Sequence, residues 1–149
     1  MRYRVTMTAA EGGGFISELP DFPGVFSFGK DREEALGMVL DAALTVCAQK
    51  ILDKEPIPIP PRAVRSGDFI DLPPMVVAKV AIHNAMMEQG VTQVAMAERL
   101  KTDPKAIRRL LDLDHKSKWE QLEAALRELG FVIHARVERA ERLPTFHAA

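Results

Sequence analysis

The chain is poor in the groups that build metal and covalent sites. It has one cysteine in 149 residues, Cys47, set in the apolar stretch ALTVCAQ, so no internal disulfide can form and no second thiol stands at ligand spacing. Its four histidines, His83, His115, His134 and His147, lack the spacing of a zinc set. A glycine-rich phosphate loop and a nucleophilic-serine motif are both missing. No run approaches the roughly 20 apolar residues of a membrane span, and MRYRVTMTAAEGGG alternates where a signal peptide would carry an apolar core. These absences lead to the expectation of a cytoplasmic protein without membrane, metal or cofactor, whose thiol is buried and inert.

What is present is enough for a packed core: 47% of the residues are apolar, and the length suits one ordinary domain or two small ones. A net charge of −1 conceals an uneven distribution. Between Arg99 and Lys118 stand seven basic residues (Arg99, Lys101, Lys105, Arg108, Arg109, Lys116, Lys118) against three acidic ones (Asp103, Asp112, Asp114). A basic segment on a near-neutral protein fits nucleic-acid contact, although a solvated face of mixed charge has the same composition.

Patterning predicts an α+β chain. YRVTMTA and FISEL alternate like strands and, joined by EGGG, form a hairpin; PDFPG breaks the chain, and VFSF restarts a strand. Asp31 caps a helix running to about Leu52, with an apolar stripe of Ala35, Leu36, Val39, Leu40, Ala43, Leu44 and Cys47 that packs on the sheet. The prolines of EPIPIPPRAVRSG keep the next segment extended, and DFIDL returns to the sheet as a fourth strand. From Pro73 the pattern becomes helical: a helix closing at Gly90, then three more, with Thr92, Asp103 and Ser117 as caps and Gly130 as the last stop. The boundary is set there, giving residues 1–72 and 73–149. FVIHARVE alternates like a C-terminal strand, which needs a partner, either a second copy of itself or the N-terminal sheet.

Thr102-Asp103-Pro104 interrupts an apolar helical pattern that then resumes with Lys105, Arg108 and Arg109. A helix-turn-helix needs such a break: a first helix, a tight turn, and a second helix whose outer face enters the major groove. Ala97, Leu100, Ile107, Leu110 and Leu111 can turn inward while Lys105, Arg108, Arg109 and Asp112 share the outer face. The arrangement resembles repressor-type helix-turn-helix domains, with Gln93 opening the first helix, Ala97 four positions on and Ile107 inside the second. Two departures lead to the expectation of a turn less tight than usual: Lys101 stands where those domains usually carry glycine, where a positive φ would cost on the order of 1 kcal/mol, and Thr102 stands where an apolar residue follows. In this reading Arg108 or Arg109 addresses guanine edges, Lys105 serves either base or phosphate, and Gln93, Lys116 and Lys118 hold phosphates. A purely structural helical bundle is the competing reading, with Trp119 as a core or interface residue in either case.

Together the two halves resemble HicB, the antitoxin of HicA/HicB toxin-antitoxin pairs. GGGFISELPDFPGVFSFGKDREEAL is similar to that family's N-terminal signature, and the segment from LPPMVV to LRELG to its helix-turn-helix type of C-terminal domain. The resemblance implies a partial ribonuclease-H-like fold in residues 1–72 that covers a small mRNA-cleaving, HicA-like toxin. It implies an all-α domain in residues 73–149 that binds operator DNA, represses its own operon and assembles as a homodimer or higher homo-oligomer. Phe22, Phe26 and Phe28 are the candidate apolar surface for the toxin, with core packing as their alternative. A ribonuclease-H-like active site needs carboxylates converging on divalent metals, yet YRVTMTA offers none on its first strand, so no catalytic residue and no enzyme are expected. The alternative from another class is a ligand-responsive transcriptional regulator, whose sheet would enclose a small-molecule pocket.

Overall fold

The computed structural model describes residues 1–140, and His147 lies outside the described residues. Contacts divide the described residues into two units: Met1–Val46 with Pro58–Leu72 and residues 135–140, and Cys47–Ile57 with Pro73–His134. The described residues form a mixed α/β chain with two small antiparallel sheets and five helices.

In the first unit YRVTMTA is two strands rather than one. β1 (Arg2–Arg4) pairs antiparallel with β5 (Phe69–Asp71), whereas β2 (Thr6–Ala9), β3 (Phe15–Glu18) and β4 (Phe26–Gly29) form a three-stranded meander in that order. The chain changes ladders at Val5, whose amide donates to the Asp68 carbonyl at 2.9 Å. Period-two alternation is blind to such a switch, because the side chains keep alternating while the hydrogen-bonding partner changes. DFIDL therefore returns to β1 and leaves the meander untouched. Its register places Asp71 opposite Arg2, and the Arg2 guanidinium donates to both Asp71 carboxylate oxygens at 2.9 Å while lying 3.8 Å from the Phe69 ring centroid.

α1 (Arg32–Asp53) begins as its residues require. Asp31 Oδ1 accepts from the Glu34 amide at 2.8 Å, and Glu34 Oε2 accepts from the Lys30 amide at 2.6 Å, so two orphan donors at the positive end of the helix dipole are satisfied. Gly29 makes room for this start: a Cβ there would fall 2.2 Å from the Ala35 nitrogen. Ala35, Val39, Ala43 and Cys47 are wholly buried along one face, and Ser17 on β3 donates to the Ala35 carbonyl at 2.9 Å. By length and composition alone α1, 22 residues long with a mean hydropathy of 1.5 over its most apolar 18, is apolar enough to cross a membrane, which corrects the expectation that no run approaches a span. Only 22% of that stretch is buried, and the single buried i, i+4 stripe with exposed Asp41 is the pattern of an amphipathic helix packed by one face.

The second unit holds α2 (Pro74–Gln89), α3 (Gln93–Arg99), α4 (Pro104–Leu111) and α5 (Trp119–Glu128). Pro74 opens α2, where its missing N–H costs nothing, and Gly90 closes it in the left-handed region at φ 64°, with the Val91 amide donating back to the Met86 carbonyl at 2.9 Å. Ile82 and Met86 of α2, Met96 of α3, Ile107 and Leu110 of α4, and Leu122 and Leu126 of α5 share one core. The proline-rich segment, short of backbone donors, is held by side chains: Asn84 Oδ1 accepts from the Ile57 amide and Nδ2 donates to the Ile57 carbonyl, both at 2.9 Å.

FVIHARVE forms no strand among the described residues. Val132 and Val137 are 70% and 97% exposed, while the Phe131 amide donates to the Leu126 carbonyl at 2.8 Å and Ile133 packs against the helical core.

Candidate functional site

The opening of α3 and that of α4 use the same device. Thr92 Oγ1 accepts from the Ala95 amide at 3.1 Å and Asp103 Oδ1 from the Ala106 amide at 2.8 Å, each an N-cap contact that satisfies an orphan donor. Between the helices the chain reverses through Lys101 at φ 54°, a left-handed residue in a turn that the sequence leads one to expect looser than usual, and the Thr102 amide donates to the Ala97 carbonyl at 2.9 Å. Ala97, Ile107, Leu110 and Leu111 point into the core and Leu100 is half-buried. Lys105, Arg108, Arg109 and Asp112 are exposed, as are Lys116 and Lys118 on the segment after α4, while Gln93 is half-buried at the start of α3. Among the described residues the four ion pairs engage none of these basic groups. The structure thus presents unneutralised cations on α4 and on the loop that follows it.

That loop is fixed from within by a residue that sequence reasoning passed over. Lys79 of α2 is 0% exposed, and its Nζ donates to the Asp112 carbonyl at 2.6 Å, the His115 carbonyl at 2.7 Å, Ser117 Oγ at 2.9 Å and, more distantly, the Arg109 carbonyl at 3.3 Å. Burial pushes this ammonium below its ordinary range and the neighbouring Asp112 opposes the shift. The available signal was a lone charge inside the apolar run VVAKVAI. Ser117 is accordingly no helix cap: Lys118 occupies the N-cap position of α5 without a side-chain bond, because the Ser117 hydroxyl is already committed to Lys79.

In the first unit the meander has an inner face and an open one. Ser17 is buried toward α1, whereas Thr6, Thr8, Ile16, Glu18, Phe26 and Phe28 are all exposed. The register sets Thr8, Ile16 and Phe28 in one row and Thr6, Glu18 and Phe26 in the next. Phe26 and Phe28 are 67% and 53% exposed. The Phe28 ring lies across Gly14, where a Cβ would come within 2.5 Å of Cζ, so the glycine of GGGF leaves the ring a seat on the sheet. Phe22 does not belong to this surface. It is 2% exposed, its ring centroid 5.1 Å from that of buried Tyr3, and the PDFPG turn folds it inward because Phe22 N–H donates to Leu19 O and Phe22 O accepts from Val25 N–H, both at 3.0 Å.

Chemically the arrangement offers contact surfaces. Among the described residues no three His, Cys, Asp or Glu side chains converge as a metal-binding group. Burial raises the Cys47 thiol to about 11, which leaves it protonated at neutral pH. The concavity beside Arg4, Pro20, Asp21 and Arg62 has about 290 Å³ and lies open at the surface of the first unit, unlike the enclosed apolar site a small-molecule sensor requires.

Residues 2–81 match a family model described as the HicB-like antitoxin of bacterial toxin-antitoxin systems. An Antitoxin HicB 1 of Photorhabdus laumondii subsp. laumondii is 33% identical over 138 residues, spanning 93% of this chain and 88% of that protein. The Antitoxin HicB of Escherichia coli K12 is 34% identical over 130 residues, 87% of this chain and 94% of its own length. An Antitoxin HicB of Pseudomonas fluorescens Pf0-1 is 33% identical over 131 residues, 87% and 90% of the two chains.

Proposed function

The chain belongs to the HicB family of antitoxins, and on that footing we propose that it neutralises a small mRNA-cleaving toxin through residues 1–72 and represses its own operon through residues 73–149. The observation that carries the toxin half is the open face of the meander, where Ile16, Phe26 and Phe28 expose aromatic and aliphatic area beside Glu18. Buried aromatic anchors dominate protein interfaces, and a carboxylate next to them suits a basic partner such as a protein that binds RNA. The three-stranded antiparallel meander followed by a packed helix supports a partial ribonuclease-H-like fold, here acting as a cover for the toxin with no catalytic step of its own.

The DNA half rests on α3 and α4 as a helix-turn-helix, with Arg108 and Arg109 toward base edges, Lys105 toward base or phosphate, and Gln93, Lys116 and Lys118 toward phosphates. One such element covers a half-site, so the repressor is a homodimer or a higher homo-oligomer. The segment after Phe131, which forms no strand among the described residues, is where a second copy would join. Both activities belong to the cytoplasm.

Co-expression with a HicA-like toxin tests the toxin half. The chain is expected to restore growth. Phe26→Ala and Phe28→Ala should each weaken the complex by about 1–3 kcal/mol, enough together to abolish rescue, while operator binding stays intact. Full rescue by the double variant would place the toxin elsewhere on the molecule.

A further inference from the structure

We infer that Lys79 is a positioning residue for operator binding, holding the 112–118 loop so that Lys116 and Lys118 extend the basic face of α4. The inference rests on the DNA-binding reading above and adds to it a group that touches no DNA.

An ammonium has three hydrogens. The three short contacts of Lys79, to the Asp112 and His115 carbonyls and to Ser117 Oγ, use all of them. All three acceptors lie between the end of α4 and the start of α5, and the fourth, longer contact is to Arg109, in the last turn of α4. A cation at a helix C-terminus also offsets the partial negative charge of the unpaired carbonyls there. The loop adds its own short bonds, Asp114 N–H to Asp112 Oδ1 at 3.0 Å and His115 N–H to the Asp112 carbonyl at 3.2 Å, but these are internal to it. Lys79 is the tie from the loop to α2. Lys116 and Lys118 flank Ser117, which is 8% exposed, so pinning the serine inward turns both neighbours out to solvent.

A burial role alone would be served by any apolar side chain of the same length. Met fits that description and removes the three donors, leaving the His115 carbonyl without a partner and the Asp112 carbonyl and Ser117 Oγ with only their longer contacts to His115, at 3.2 Å and 3.3 Å. The backbone between Asp112 and Ser117 then keeps only its internal bonds and loses its hydrogen bonds to α2, and the two lysines lose their register with Arg108 and Arg109.

Two measurements on the full-length chain separate positioning from mere stability. The first is binding to duplex DNA from the region upstream of the gene, titrated over a range of salt. A protein that is only less stable has a smaller active fraction and the same salt slope, whereas one whose loop is displaced loses phosphate contacts and therefore slope. Lys79→Met is expected to bind at least tenfold more weakly, with a slope smaller by roughly two counterions per bound protomer, one for each displaced lysine. Ser117→Ala, which removes one acceptor and leaves the charge, is expected to shift both in the same direction by less, and serves if Lys79→Met does not fold. The second measurement is amide exchange, expected to accelerate across residues 112–118 in either variant while the α2 and α5 core amides stay protected. Wild-type slope in folded Lys79→Met, or in Ser117→Ala should the first variant not fold, overturns the inference. If the wild type itself binds no DNA, the operator reading fails, and the exchange pattern alone then decides whether Lys79 holds the loop.

Discussion

Cys47 lies at the end of a helix stripe whose other members are Ala35, Val39 and Ala43, and the packing there leaves it no water. A thiol raised to about 11 from an ordinary 9.0 ionises later in the folded chain than in the unfolded one. As pH rises past 9.0 the unfolded chain loses its proton first, so Cys47 subtracts from stability between 9.0 and about 11 and contributes no pH dependence below that window. Urea unfolding at pH 7 and pH 10.5 should therefore show a steeper alkaline loss for the wild type than for Cys47→Ala, by up to about 2 kcal/mol. At pH 8 the folded thiol should resist alkylation that goes to completion in urea. Equal alkaline loss in both proteins would mean that the thiol reaches solvent. Phe22, Phe26 and Phe28 teach the same lesson about single residues. Identical side chains within seven positions divide between core and surface according to the turn that carries them, and composition does not register the turn.

The α3–turn–α4 element shows what a sequence reveals at the next scale. Asp103 and Pro104 announce a helix start, and the 3.6-residue spacing of Ile107, Leu110 and Leu111 fixes which side of α4 is outward; both were legible because each depends on local geometry. Lys101 at φ 54° was legible only as a position, since a lysine where glycine is usual suggested a looser turn than the one formed. Lys101→Gly removes the left-handed penalty for a side chain with a Cβ but widens the unfolded ensemble, and the balance should favour the variant by up to about 1 kcal/mol in thermal or urea unfolding. A lower melting temperature would instead show that the Lys101 side chain makes a stabilising contact in solution. The strand switch at Val5, the pairing of β5 with β1 and the coil from Phe131 were not legible. Each is a choice of partner, set by register and by what else is within reach, and alternation carries no information about partners. Lys79 was hidden in another way: its four acceptors lie 30 to 38 residues away along the chain, so no window of local pattern contains the clamp.

At the scale of the whole molecule, net charge near zero is the sum of two differently furnished units. An open apolar face with a carboxylate occupies one, and a face of unpaired cations the other. Substitutions on one surface should consequently leave the other's binding unchanged, since residues with no shared partners act additively. The account stands most directly on operator titration of Arg108→Ala and Arg109→Ala beside the wild type, with toxin binding measured on the same preparations. It predicts that each substitution weakens operator DNA by roughly 1–3 kcal/mol and leaves toxin affinity unaltered. Wild-type operator affinity in both variants would contradict it.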